Sequence, residues 1–121
     1  MKQLSMLLIL AATACGTARS AAVYRDDTQH LLATRNASVK QCYDKALAAD
    51  PGAAGTVAVA FTVEHKTGAV SHAKLDAKRT TAPDELGSCV LAAVRGLVLD
   101  PADRHDGDAT FVYSFAPPSQ G

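Results

Sequence analysis

Cys42 and Cys89 each fall on the apolar stripe of a segment with helical periodicity, and this placement constrains the fold more than any other feature of the chain. In residues 28–49, Leu31, Leu32, Val39, Cys42, Tyr43, Ala46 and Leu47 recur at threes and fours. Arg35, Lys40, Gln41, Asp44 and Lys45 take the other side. After residue 81, Leu86, Cys89, Val90, Ala93, Val94 and Leu97 form a second stripe. Two amphipathic helices packed on one face of a sheet bring such stripes together. A disulfide between them would close a loop of about 47 residues and stabilise the fold by roughly 4 kcal/mol, comparable to the net stability of a small domain. The alternative is two buried free thiols. A redox-active pair has less support, because the spacing is not C-x-x-C and no basic neighbour stands out to depress a thiol pKa.

Such a staple suits the composition. The 121 residues are enough for one domain, Trp is absent and the aromatics make up 5%. The core must come from Val, Leu, Ala and Phe, and Ala buries little area, so the domain is marginal without a crosslink. Lys plus Arg equals Asp plus Glu, 12 each, so no global field attracts nucleic acid or an anionic membrane.

The first apolar stretch reads as an export signal, which implies an oxidising compartment. Lys2 precedes the apolar run Leu4 to Leu10 and the small residues Ala11-Ala12-Thr13-Ala14. This reads as a signal peptide over 1–14, too short for a membrane span. Ala12-Thr13-Ala14 fits an ordinary cleavage site. With Cys15 and Gly16 the same residues resemble a bacterial lipobox, although Ala12 stands where Leu is usual. Cysteine arithmetic favours lipidation of Cys15, because the remaining two cysteines then pair with none left over. The resemblance to other lipoproteins implies an outer-membrane, periplasm-facing location, since Gly16 and not Asp follows the cysteine. A soluble periplasmic protein with an unlipidated Cys15 is the alternative. Residues 17–27, small and charged without an apolar period, read as a tether of about ten residues.

Beyond the tether the pattern is α-β-β-α-β. The first helix covers 28–49 and stops at Asp50-Pro51-Gly52. A strand covers 55–63, where Val57, Val59, Phe61 and Val63 alternate with Thr56, Ala58, Ala60 and Thr62. His65-Lys66-Thr67-Gly68 is a turn. A second strand covers 69–76, and its apolar residues Val70, Ala73 and Leu75 change parity, which predicts a β-bulge near Ser71–His72. Thr81 and Asp84 imitate a capping box, with Pro83 in the first turn of a helix that ends at Asp100-Pro101. Residues 102–107 read as a solvated loop and 108–115 as the last strand. The expected fold is α+β, with a three-stranded antiparallel sheet in the order 2-1-3 and two helices on one face.

The runs Val39-Lys40-Gln41-Cys42-Tyr43-Asp44-Lys45-Ala46-Leu47, Gly55 to Val63, Gly68-Ala69-Val70 and Ser88-Cys89-Val90 resemble the AgmX/PglI C-terminal domain family, itself similar to the TonB C-terminal domain. The resemblance spans a domain of residues 28–116, followed by a tail of 117–121. Where the family has an aromatic and Phe-Pro near the end of the second helix, this chain has Leu97-Val98-Leu99-Asp100-Pro101. The resemblance implies a non-enzymatic module that pairs an extended segment of an envelope protein with an edge strand. The candidate edge is Thr110, Phe111, Val112, Tyr113, Ser114 and Phe115. The opposing expectation is that Pro117-Pro118 and the charged loop blunt this edge.

No pattern for catalysis, a cofactor or a metal stands out. His30, His65, His72 and His105 lack metal-ligand spacing. Across 103–108 an EF-hand alignment fails, because Ala102 and Arg104 fall where carboxylates are needed; a small metal binder using this loop is the least supported reading. Ser88 has no neighbouring base or nucleophile elbow. Asn36-Ala37-Ser38 is a formal sequon inside a helix. The expected partners are envelope proteins and, through the lipid, a membrane, with no nucleic acid and no small-molecule substrate.

Overall fold

The computed structural model describes residues 18–118. The predicted signal peptide, Cys15 and residues 119–121 lie outside the described residues. The elements are α1 (Ala21–Ala33), α2 (Asn36–Ala49), β1 (Gly55–Val63), β2 (Val70–Leu75), α3 (Asp84–Val94) and β3 (Gly107–Phe115). The strands form one antiparallel sheet in the order β2-β1-β3. The fold is therefore α+β with the expected sheet order, but with three helices instead of two. Among the described residues, no helix is long and apolar enough to cross a membrane.

The first helical segment starts earlier than expected and is broken. Ser20 caps α1, its Oγ accepting from the Val23 N–H at 3.2 Å. Residues 21–27, read as part of a tether, are thus helical. Their stripe runs Tyr24, Thr28, Leu31, Leu32, and it is hard to see because its second member is polar. Thr28 is buried with its hydroxyl donating to the Tyr24 carbonyl at 2.7 Å. The break comes at Thr34, whose hydroxyl and N–H both bond the Leu31 carbonyl, at 2.6 and 3.2 Å. Arg35 N–H then reaches back only to Leu32 O, which tightens the last turn and ends the α ladder.

β1 has the expected bounds. Its inward residues Val57, Val59, Phe61 and Val63 join Leu32, Val39, Cys42, Leu86, Val90 and Val94 of the helices in one core. The β1–β2 register shifts between Ala60 and Thr62, and His72 takes φ 54°. This bulge puts Val70, Ala73 and Leu75 together against the core. Cys42 and Cys89 join α2 to α3 by a disulfide, with a Cα–Cα distance of 5.7 Å.

The second helical segment differs at both ends. Pro83 is the N-cap residue, and no side chain caps the helix. The expected capping box does not form, because the Thr81 hydroxyl accepts from the Thr56 N–H at 2.9 Å instead. Asp84 and Glu85 place negative charge in the first turn. The helix ends at Val94, since Arg95 is extended and Gly96 takes φ 80°. Leu97 and Leu99 are buried with Val98 exposed between them, a strand-like alternation. Leu97 therefore reaches the core from an extended segment, which accepts from the Val70 N–H at 2.9 Å and donates from Leu99 to the Gly68 carbonyl at 2.7 Å.

Candidate functional site

The sheet has two edges, and they are not equivalent. The start of β2 is covered by the 97–99 segment, which forms a bridge between Ala69 and Val98. β3 is different, and the direction of its backbone groups follows from the hydrogen bonds of β1. Thr56 O accepts from the Thr81 and Ala82 N–H groups at 2.9 and 3.0 Å, and Ala58 O accepts from the Asp76 N–H at 2.9 Å. Both carbonyls thus point away from β3. In an antiparallel ladder, the N–H and C=O of one residue point the same way and successive residues alternate. Val57 and Val59 therefore face β3, opposite Tyr113 and Phe111. It follows that Thr110, Val112 and Ser114 direct their N–H and C=O groups off the free edge. Among the described residues, no hydrogen bond outside the sheet reaches these three residues.

Of the six predicted edge residues, then, three offer backbone groups and three do not. Thr110, Val112 and Ser114 are exposed, with Val112 at 47%. Phe111, Tyr113 and Phe115 lie half-buried against the core. Phe111 stacks on Phe61 with centroids 6.3 Å apart, and Tyr43 lies 4.9 Å from Phe115. The Tyr113 hydroxyl is buried without a hydrogen-bond partner among the described residues, and burial raises its pKa. The stretch from Ala109 to Phe115 contains no charge and no proline. Pro117 and Pro118 lie past the end of β3 and remove no donor from it.

A cleft of about 580 Å³ flanks the first half of β3, between Tyr24, Arg25, Thr28 and Gln29 of α1 and the segment 107–111. The sequence does not show it, because residues 21–27, the first half of α1, carry the pattern of a tether. Its floor depends on Gly107, where an added Cβ would stand 2.7 Å from the Tyr24 ring. The Tyr24 hydroxyl donates to His105 O at 3.3 Å, and its pKa is raised by burial and then by the Asp103 charge.

The loop before β3 keeps Arg104, His105 and Asp106 exposed, as expected, but it buries Asp103. Asp103 is 1% exposed. Its carboxylate accepts from the Arg19 N–H at 2.8 Å, the Arg19 guanidinium at 3.3 Å and the His105 N–H at 3.0 Å. Burial acts to raise its pKa, but these hydrogen bonds and the Arg19 charge outweigh burial and hold it below the usual carboxylate range. The Arg19 side chain, 7% exposed, also donates to Asp27 and to Pro101 O, each at 2.7 Å. Sequence reading missed this clasp because its partners are 84 residues apart. His65 is exposed and bonds Asp106 through Nδ1 at 2.6 Å, which lowers the Asp106 pKa.

Two other groupings offer less. Asp26, Asp27 and His30 place ligand-type atoms within 4.8 Å of one another, but Asp27 is engaged by Arg19. A cleft of about 600 Å³ between α2 and α3 is floored by the disulfide and rimmed by Lys45, Asp84 and Glu85.

No protein-family model matches the chain, and neither a curated protein nor a solved structure matches it.

Proposed function

We propose that this chain is a non-enzymatic module of the cell envelope, anchored by lipid on Cys15, that takes up an extended segment of a partner protein along the free edge of β3. The observation that carries this reading is the row of outward backbone groups on Thr110, Val112 and Ser114 within the uncharged stretch Ala109 to Phe115 of β3. Edges of this kind are normally blunted by charge, proline or a covering element, and an edge without such protection favours strand addition. An added strand would alternate its side chains between the open face of the sheet and the cleft beside Tyr24 and Gln29. Main-chain bonds would supply affinity and the cleft would supply selectivity. The α+β order with a 2-1-3 sheet is compatible with the TonB C-terminal-like kinship inferred from the cysteine-bearing motifs.

A photoreactive residue at Thr110 tests this in the native membrane. A discrete protein adduct is expected. Val112→Pro should abolish it, because proline removes an outward N–H while leaving the bonds to β1 in place. The absence of any adduct, or one indifferent to Val112→Pro in a folded variant, refutes the proposal.

A further inference from the structure

We propose that the end of the domain carrying the Arg19 clasp is seated directly on the lipid bilayer. This rests on the reading of Cys15 as the lipidated residue. Only Gly16, Thr17 and Ala18 separate Cys15 from Arg19. Arg19 is fixed to the fold through Asp103, Asp27 and Pro101. A fully extended chain reaches at most about 3.5 Å per residue, so the Arg19 Cα lies within about 14 Å of the anchored Cα. A flexible tether running to residue 28 would have allowed roughly 45 Å.

A second observation marks the same end. Among the described residues, Val23 and Val98 are two of the three large apolar residues left exposed, at 49% and 50%. Val23, Asp27 and His30 share one face of α1, by their spacing of four and three. Asp27 and His30 in turn line a shallow recess with Arg19, Val98 and Pro101. Both valines thus flank the clasp. Both also lie at the hairpin end of the sheet, since Val98 bridges Ala69 and Gly107 pairs with Val63. The exposed charges nearby are of both signs, Arg25 and Arg104 against Asp26 and Asp100. The occupant that fits is a lipid surface held by the acyl chain and apolar contact, not by attraction to anionic headgroups.

The test uses the full-length lipidated protein in phosphatidylcholine vesicles containing brominated lipid. A fluorophore is placed on Val98→Cys or on Ala116→Cys, the latter about 30 Å from Gly107 along the strand direction. Quenching at position 98 should exceed that at 116 severalfold and persist in high salt. Inserting ten Gly/Ser residues between Thr17 and Ala18 should erase the contrast. Equal quenching at the two positions in protein whose intact mass includes the acyl group overturns the seating alone. A contrast that survives the insertion overturns the short-tether argument. An unacylated mass overturns both the seating and the lipid anchor on which it rests.

Discussion

Arg19→Ala should destabilise the domain by about 3 kcal/mol, at the lower end of the 3–5 kcal/mol lost when one member of a buried ion pair is removed. The lower end applies because Asp103 would not be left bare. The N–H groups of residues 19 and 105 would still reach its carboxylate, while the guanidinium contacts at 3.3 Å to Asp103 and 2.7 Å to Pro101 O would go. The guanidinium also lies 5.9 Å from the centre of the Tyr24 ring, so the packing of α1 on the β3 approach would loosen with it. Urea denaturation is the assay. With a slope of about 1–3 kcal/mol/M, the midpoint should fall by 1 M or more with the slope unchanged. Asp103→Asn in the Arg19→Ala background should recover part of the loss, because a neutral amide is easier to bury than an unpaired carboxylate. The pH dependence has a definite sign. The folded Asp103 pKa is depressed, so its contribution is fully present above the ordinary value of about 4 and is lost as pH falls through the folded value. Asp103→Asn should flatten the acid limb of the stability curve. A loss below about 1 kcal/mol for Arg19→Ala, or an unchanged acid limb in Asp103→Asn, would refute the assignment of this clasp as a buried charge pair.

Other outcomes follow from the same fold. Replacing both Cys42 and Cys89 with Ala should cost about 4 kcal/mol, seen as a lower denaturation midpoint that added reductant does not shift further. Tyr113→Phe should leave stability unchanged or raise it by about 1 kcal/mol, because the hydroxyl it removes is buried without a partner; a drop of that size would mean the hydroxyl is satisfied in solution. Gly68→Ala should cost on the order of 2 kcal/mol or more, since its φ of 74° is left-handed and a Cβ there would collide with the Leu99 backbone; an unchanged midpoint would contradict the pairing of Gly68 with Leu99.

Legibility varied with the range of the forces involved. β1 was readable because strict alternation of Val57, Val59, Phe61 and Val63 has one structural meaning at that length. The bulge at His72 was readable from a parity change alone, since a one-residue slip would otherwise send Ala73 and Leu75 outward. The start of α1 was not, because Thr28 hides a core position behind a polar side chain whose hydroxyl is satisfied within its own helix. The end of α3 misled for a related reason. Leu97 continues the helical spacing from Val94 and is also buried, so periodicity could not tell a further helical turn from the extended segment that Gly96 begins.

The order of the strands, their inward faces and the two cysteines that meet were legible in the residues alone, because each depends on local periodicity and on apolar stripes seeking a common core; the split of the first helical segment into α1 and α2 was not. Thr110 to Phe115 likewise stood out as the uncharged part of the last strand. Which of those six residues present their backbone outward emerged from the folded sheet, because it follows from how β1 is bonded on its far side. The tertiary structure alone also revealed that the N-terminal segment is folded down by Arg19 onto Asp103. Such a contact depends on where two segments far apart in the chain end up once the core has formed, and a buried charge at either position leaves no periodic trace in the sequence.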